Sequence, residues 1–310
     1  MAITGLHHLH LKVRDLAGTQ RFAKDFGLSE ACETPDGRVY LHGAGTGAYQ
    51  LVLEDADESA LVGIAFEVDS RQDLEHAIAR HGASSIISLD GPGGGLAVEL
   101  SDPDGKRIKL VHDVETREHD PLPPAMIINQ GQDKTRQGAA QLQRPLGPPQ
   151  LLRLGHVGLF VRDYKACDAW YRDVLGFLPS DVMWAAEPDN LIAGFYRIDR
   201  GSEWVDHHTI ALFGFGKSDL HHISFEVQNA DAQFVGHRWM ARHGHEPVWG
   251  VGRHPKGSHV FDVWRDPSGY RFETFSDTDV STAAMPAGVH DITTMEMDLW
   301  SDRSHEDYFA

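Results

Sequence analysis

Twenty of the 310 residues are histidine, and imidazole is both the commonest metal ligand and the side chain that titrates nearest neutrality. Three positions in the second half combine into a set that could do chemistry. His156 opens an alternating apolar segment, His222 stands in HHISFEV (221–227), and Glu273 follows the turn DPSG. In HHISFEV the apolar face is Ile223, Phe225 and Val227, so period-two alternation turns His222, Ser224 and Glu226 the other way. Two imidazoles and a carboxylate converging from different strands make a three-ligand site with coordination positions left open, the donor set suited to non-haem Fe(II) and oxygen chemistry. Strand histidines also occur as ordinary hydrogen-bonded polar residues, so position alone leaves both readings standing.

The elements that must carry those residues are written twice. LHHLHLKVRDL (6–16) aligns without gaps on LGHVGLFVRDY (154–164), six identities in eleven at an offset of 148. FAKDFGL (22–28) then matches the spacing of YRDVLGF (171–177), VGIAFEV (62–68) matches HHISFEV, and DPDGKRIK (102–109) matches DPSGYRFE (266–273). Four blocks in one order indicate a tandem duplication. Each copy reads as strand, helix and three strands followed by a second helix and more strands, an α+β pattern. In HVGLFV, Val157, Leu159 and Val161 share the apolar face. DYKACDAWYRDVLGF predicts a helix with Ala166, Trp170 and Val174 inward and Gly176 as its stop. ADAQFVGHRWMARHGHE (230–246) predicts the helix that covers the later strands. The first copy acts as a control: His8 is kept, but Gly63 stands where His222 does and Lys109 where Glu273 does. A lysine is no ligand near neutral pH and repels a cation, so the second copy is the one equipped for metal. The expected organisation is an N-terminal module pair without a metal site (1–118), a connecting segment rich in Pro, Gln and Gly (119–150), a metal-binding catalytic domain (151–277), and a C-terminal extension (278–310) serving as a lid or subunit contact.

Composition excludes several classes. The 41% hydrophobic and 24% charged content is that of a globular chain, and the length fits two domains. No apolar run approaches the ~20 residues of a membrane span, and MAITGLHHLHLKVRD lacks a basic-then-apolar signal pattern. Lys+Arg number 28 against 46 Asp+Glu, a charge of -18 with no basic patch, which argues against nucleic acid and anionic lipid as partners. Two cysteines, Cys32 and Cys167, are too few for a disulfide scaffold and point to the cytoplasm.

With H…HHxxFE…DPxGxxxE in place, the chain resembles the vicinal oxygen chelate superfamily. Its two-copy arrangement is similar to the type I extradiol ring-cleaving dioxygenases, which are catechol 2,3-dioxygenase-like. WGVGRHPKGSHVFDVWRDPSGYRFETF (249–275) is most similar to the branch containing metapyrocatechase II and trihydroxytoluene dioxygenase. The resemblance spans roughly residues 5–277 and implies a glyoxalase-like fold of tandem βαβββ modules, two modules per domain. It implies His156, His222 and Glu273 as ligands of Fe(II), with Mn(II) as the alternative, O2 as co-substrate, and a small aromatic diol or trihydroxylated ring as substrate. Cleavage outside the diol would give a semialdehyde-type product. The metal lowers the pKa of one hydroxyl, and a neutral histidine takes the second proton. That histidine falls on His207 in DHHTIAL, with His208 at nearly the same spacing to His222. His254, in GVGRH, falls where it would bind a substrate oxygen or brace the site, and a homo-oligomer is expected. One position departs from the pattern. Ten residues before Glu273 the family carries a tyrosine that hydrogen-bonds the substrate, and here Val263 offers no donor. Tyr270 and Asp262 are nearby in sequence, but alternation points Asp262 away from that face, and no residue clearly compensates.

Two other readings compete. A metal-dependent isomerase or lyase of the glyoxalase type gathers a further ligand, often with carboxylates from both modules, which Gly63 and Lys109 disfavour. A metal-free protein that binds aromatic ligands has no need of the triad, although Val263 fits it. Of the other histidines, His7, His8 and His10 read as structural or surface residues, and His237, His243 and His245 as solvated. Trp170 and Trp239 read as packing, Trp249, Trp264 and Trp300 as candidate pocket residues, and Cys167 as a thiol with no activating partner.

Overall fold

The computed structural model describes residues 1–310 apart from 125–126, 137, 139–145, 304–307 and 310. Its helices begin and end where the repeated motifs place the caps. The aspartate of VRD is the N-cap in both copies: Asp15 accepts from the Gly18 amide ahead of helix Leu16–Phe26, and Asp163 accepts from the Ala166 amide ahead of helix Tyr164–Asp173. Gly27 ends the first helix at φ 107°, and a side chain there would also collide with the Pro149 carbonyl. The first aspartate of DPxG closes each final turn, Asp102 accepting from the Lys106 amide at 2.8 Å and Asp266 from the Tyr270 amide at 2.7 Å.

Each copy builds one sheet from two βαβββ modules. The first sheet runs, edge to edge, Ser29–Glu33, Val39–His42, Leu51–Asp55, Ile3–Val13, Ala60–Val68, Arg107–His112, Leu96–Ser101, Ile87–Ser88. The second runs Glu246–Arg253, Val260–Arg265, Arg271–Ser276, Asp219–Val227, Leu151–Phe160, Ile210–Phe213, Leu191–Arg197, Leu178–Trp184. Gly288–Asp291, from the C-terminal extension, adds a ninth strand parallel to Leu178–Trp184. Within each sheet the first strands of the two modules pair antiparallel at the centre, and each has its own module's last strand parallel on its other side.

The halves dock reciprocally. Thr19 Oγ1, on the first helix, donates to Asp266 Oδ2 of the second DPxG turn at 2.8 Å, and the Tyr171 hydroxyl donates to Asp102 Oδ2 of the first turn at 3.2 Å. Phe22 lies 5.2 Å from Phe272, and Phe66 lies 5.4 Å from Phe177. Leu9, Phe26 and Phe66 thus share one hydrophobic cluster with Leu154, Phe225 and Phe272. No described helix is long and apolar enough to cross a membrane.

Some local expectations change. Helix Tyr164–Asp173 buries Tyr164, Cys167 and Tyr171, while Ala166, Trp170 and Val174 are half-buried, because the helix is rotated to bring Tyr171 onto the other half's turn. His237 is paired rather than freely solvated: its Nδ1 lies 3.0 Å from Asp262, and burial of that carboxylate under helix Ala230–Arg242 demands a partner. His245 reaches Asp25 of the first half at 2.9 Å. Tyr270 faces away from the second sheet's concave side, donating to the Lys12 carbonyl at 2.8 Å.

Phe22→Ala empties a fully buried contact between the halves. It is expected to cost about 3–5 kcal/mol of stability, read as a lower urea midpoint.

Candidate metal centre

Strand register brings the candidate ligands into one row. His156 pairs with Ser224, Ser224 with Glu273, and Glu273 with Val263, so four neighbouring strands present these side chains on one face. His222 is two residues from Ser224 and shares its face. It pairs with Gly158, where a Cβ would fall 2.5 Å from His222 Cε1 and Nδ1; the missing side chain is what lets the ring lie there. The matching row of the first sheet reads His8, Ala65, Lys109, Glu99, and Lys109 Nζ is neutralised by Glu99 at 3.4 Å.

Glu273 is fully buried. Its Oε1 accepts from Ser224 Oγ at 2.6 Å and faces His156 Nε2 at 3.1 Å and His259 Nε2 at 3.9 Å. Its Oε2 has no hydrogen-bond partner, and neither ring nitrogen of buried His259 has one. Burial pushes the Glu273 carboxyl up, but His222 and then His156 outweigh it and hold it well below the usual carboxylate range. Burial drives His222 down to about 3 despite the pull of Glu273. A fully buried carboxyl group with an unpaired oxygen among buried imidazoles is a cation site by its chemistry, and the N, N, O donor set fits Fe(II) or Mn(II).

The ligand atoms of His156, His259 and Glu273 all lie within 4.8 Å of one another. Of the three expected ligands, His156 and Glu273 meet directly, whereas His222 stands beside them, its ring 5.2 Å from that of His156 and its Nδ1 2.7 Å from His221 Nδ1. His259 was not among the expected residues. Its signal was the alternation of His259, Phe261 and Val263, which turns all three to the concave face.

The neighbouring histidine pair divides its work. His208 lines the cavity, its ring 4.2 Å from that of His156, and burial followed by the surrounding imidazoles holds it well below the usual histidine value. His207 lies behind it, Nδ1 to Nδ1 at 3.1 Å, with its Nε2 on Asp181 at 2.7 Å. Asp181 is held in turn by His290 at 2.6 Å. Burial pushes this carboxyl up, but the bonds from His207 and His290 leave it below its ordinary value. His254 lines the cavity, stacks on Phe261 at 4.0 Å, and sets Nδ1 2.6 Å from the Met297 carbonyl; burial lowers its pKa.

Lys256, Glu296 and Tyr308 also line the cavity, and its apolar wall comes from Phe195, Phe213 and Met183 of the sheet and Ile292, Met295 and Phe309 of the extension. Of the extension, residues 304–307 and 310 lie outside the described residues. Val263 is buried in a cluster with Trp249, Phe261, Met297 and Tyr308. Trp249, Trp264 and Trp300 do not line the cavity: the first two are buried and Trp300 is half exposed.

The fold and the clustered imidazoles and carboxylate define a protein of the Glyoxalase/Bleomycin resistance protein/Dioxygenase superfamily, whose pattern matches residues 153–274, and the chain belongs to it. It is 31% identical over 291 residues to metapyrocatechase 2 of Cupriavidus necator, covering 93% of this chain and 86% of that one. Its fold matches the Mn(II)-bound glyoxalase from Novosphingobium aromaticivorans at a TM-score of 0.78 and 23% identity, over 98% of this chain and 92% of that chain. It also matches homoprotocatechuate 2,3-dioxygenase from Brevibacterium fuscum, in complex with 3,4-dihydroxyphenylacetate, at a TM-score of 0.77 and 20% identity, over 99% and 92% of the two chains. A glyoxalase and a dioxygenase share this fold, so the chemistry has to be argued from the site.

Gly158→Ala forces the His222 ring aside. It is expected to weaken Fe(II) affinity about 10–100-fold while the fold survives, measured by metal titration beside the circular dichroism spectrum.

Proposed function

We propose that this protein opens the ring of a small aromatic diol, catechol-type or trihydroxylated, outside the diol, with O2 as co-substrate at a mononuclear Fe(II) centre. The observation that carries the proposal is the fully buried Glu273, one oxygen unpartnered, among imidazoles that line one side of a pocket with Phe195, Phe213 and Met183. The first half adds no carboxylate: Lys109 takes the equivalent row position and is spent on Glu99. That speaks against a glyoxalase-type site shared between modules. A metal-free binding protein would gain nothing from a buried carboxylate left half-paired.

His156, His222 and Glu273 are the proposed ligands. All three stand on adjacent inner strands, whereas His259 precedes its strand, next to Ser258 at φ 55°. Ligands on packed strands are held more rigidly than those on loops, and His222 is the strongest charge partner of Glu273. Bound there, Fe(II), or Mn(II) in its place, supplies Lewis acidity toward the diol oxygens and electron exchange with dioxygen.

The surrounding side chains handle the protons. Asp181 accepts from His207 Nε2; His207 in its neutral form then accepts at Nδ1 from His208, which leaves His208 Nε2 a bare lone pair at the cavity. We assign the acid/base role to His208 on that ground, with His207 as its positioning residue. The Met297 carbonyl can only accept, so His254 donates from Nδ1 and keeps Nε2 free to accept from a substrate hydroxyl. Phe195, 4.9 Å from His208, and Phe213 supply flat apolar surface to the ring. Cys32 and Cys167 are both free thiols, which supports a cytoplasmic site of action. The apolar Val289, exposed on the added edge strand, is consistent with association of copies.

With catechols under air, Fe(II)-loaded protein is expected to consume one O2 per ring and to release a yellow ring-opened product. Conversion without oxygen would replace this function with the isomerase reading. His208→Ala is expected to lower kcat by about 10²–10⁴, and His207→Ala by less. His222→Ala is expected to lose bound iron where His259→Ala retains it, and the reverse outcome would exchange their roles.

A further inference from the structure

Among the described residues, one hydroxyl-bearing side chain lines the cavity beside His156 and His222. Its polar lining among the described residues consists of imidazoles, Lys256, Glu296 and Tyr308, so Tyr308 is the single neutral O–H donor. The backbone at this point is anchored to the strands of the site. The Tyr308 carbonyl accepts from Arg271 Nη1 at 2.5 Å and faces His221 Nε2 at 3.3 Å. Arg271 precedes Glu273 by two residues, and His221 adjoins His222. The buried Tyr308 ring lies 5.5 Å from that of His254 and 6.4 Å from that of His222, within the same cluster as Val263. Val263 is the strand partner of Glu273. Val263 and Tyr308 pack in the same cluster, so a tyrosine at 263 would crowd the packing that holds the Tyr308 ring.

We propose that Tyr308, supplied by the C-terminal extension, is the residue whose hydroxyl hydrogen-bonds the aromatic diol, in place of any donor from position 263. The Tyr308 phenol lies close enough to Glu273 for the two side chains to interact, so a diol oxygen bound at the centre would take over the hydroxyl from that carboxylate, and the ring packs in one cluster with Val263. This deepens the diol-cleaving reading above and rests on it. The extension therefore carries a substrate-contacting side chain as well as an edge strand.

The test is an anaerobic titration of Fe(II)-loaded protein with 4-nitrocatechol, followed by the visible spectrum of the bound ligand, with iron per chain and melting temperature measured in parallel. Tyr308→Phe keeps the ring and loses only the hydroxyl. Its dissociation constant is expected to rise about tenfold, with iron content and melting temperature at wild-type values. Adding Val263→Tyr to Tyr308→Phe is expected to recover part of that loss, whereas Val263→Tyr alone is expected to lower the melting temperature. Wild-type affinity and wild-type kcat/KM in Tyr308→Phe would overturn the proposal and leave the diol reading intact. An affinity loss matched by loss of iron or of melting temperature would reduce Tyr308 to packing and overturn it as well. If iron-loaded wild-type protein binds no 4-nitrocatechol, the diol reading itself falls.

Discussion

Glu273 is fully buried, and the second half is arranged around making a carboxylate there tolerable. Taking a carboxylate out of water is costly unless it is paired and hydrogen-bonded. Ser224 donates to one oxygen, which His156 Nε2 also faces, and Oε2 remains unpaired. The imidazoles around it are pushed toward neutrality by the same burial, so they offer lone pairs rather than competing positive charge. A divalent cation is the partner that this mixture of donors lacks. An apolar wall beside it keeps water away from a flat ring.

The duplication explains how such a group is held in place. The DPSG turn that launches the Glu273 strand is tied by Asp266 to Thr19 of the first half, and Phe22 packs on Phe272 beside it. The reverse bond, Tyr171 to Asp102, ties the first half in the same way. The two copies therefore brace each other, and among the described residues the cluster that could hold a metal ion lies in the second. In the other, an ion pair between Lys109 and Glu99 fills the equivalent row, a self-sufficient arrangement that asks for no metal.

Much of this was legible in the chain. VRD and DPxG recur because one caps a helix and the other closes a turn, local jobs with short-range signals. Alternation in HHISFEV correctly turned His222 and Ser224 to the concave face. Features set by several elements at once were hidden. His207 and His208 are neighbours in the irregular stretch between Val205–Asp206 and Ile210–Phe213, so strand alternation could not say which one faces the cavity. The buried stripe of helix Tyr164–Asp173 was settled by a partner in the other half. Tyr308 belongs to a segment with no counterpart in the first copy, and only the assembled cavity relates it to Val263.

The central claim is that one cation site exists per chain, built on Glu273 in the second half. An anomalous-difference map from crystals of the Fe(II)-loaded protein, collected at the iron edge, tests it most directly. The account predicts a single peak per chain at bonding distance from His156, His222 and Glu273, with none in the row of His8 and Lys109. A peak in the first half, or no peak beside Glu273 in fully loaded protein, would contradict it.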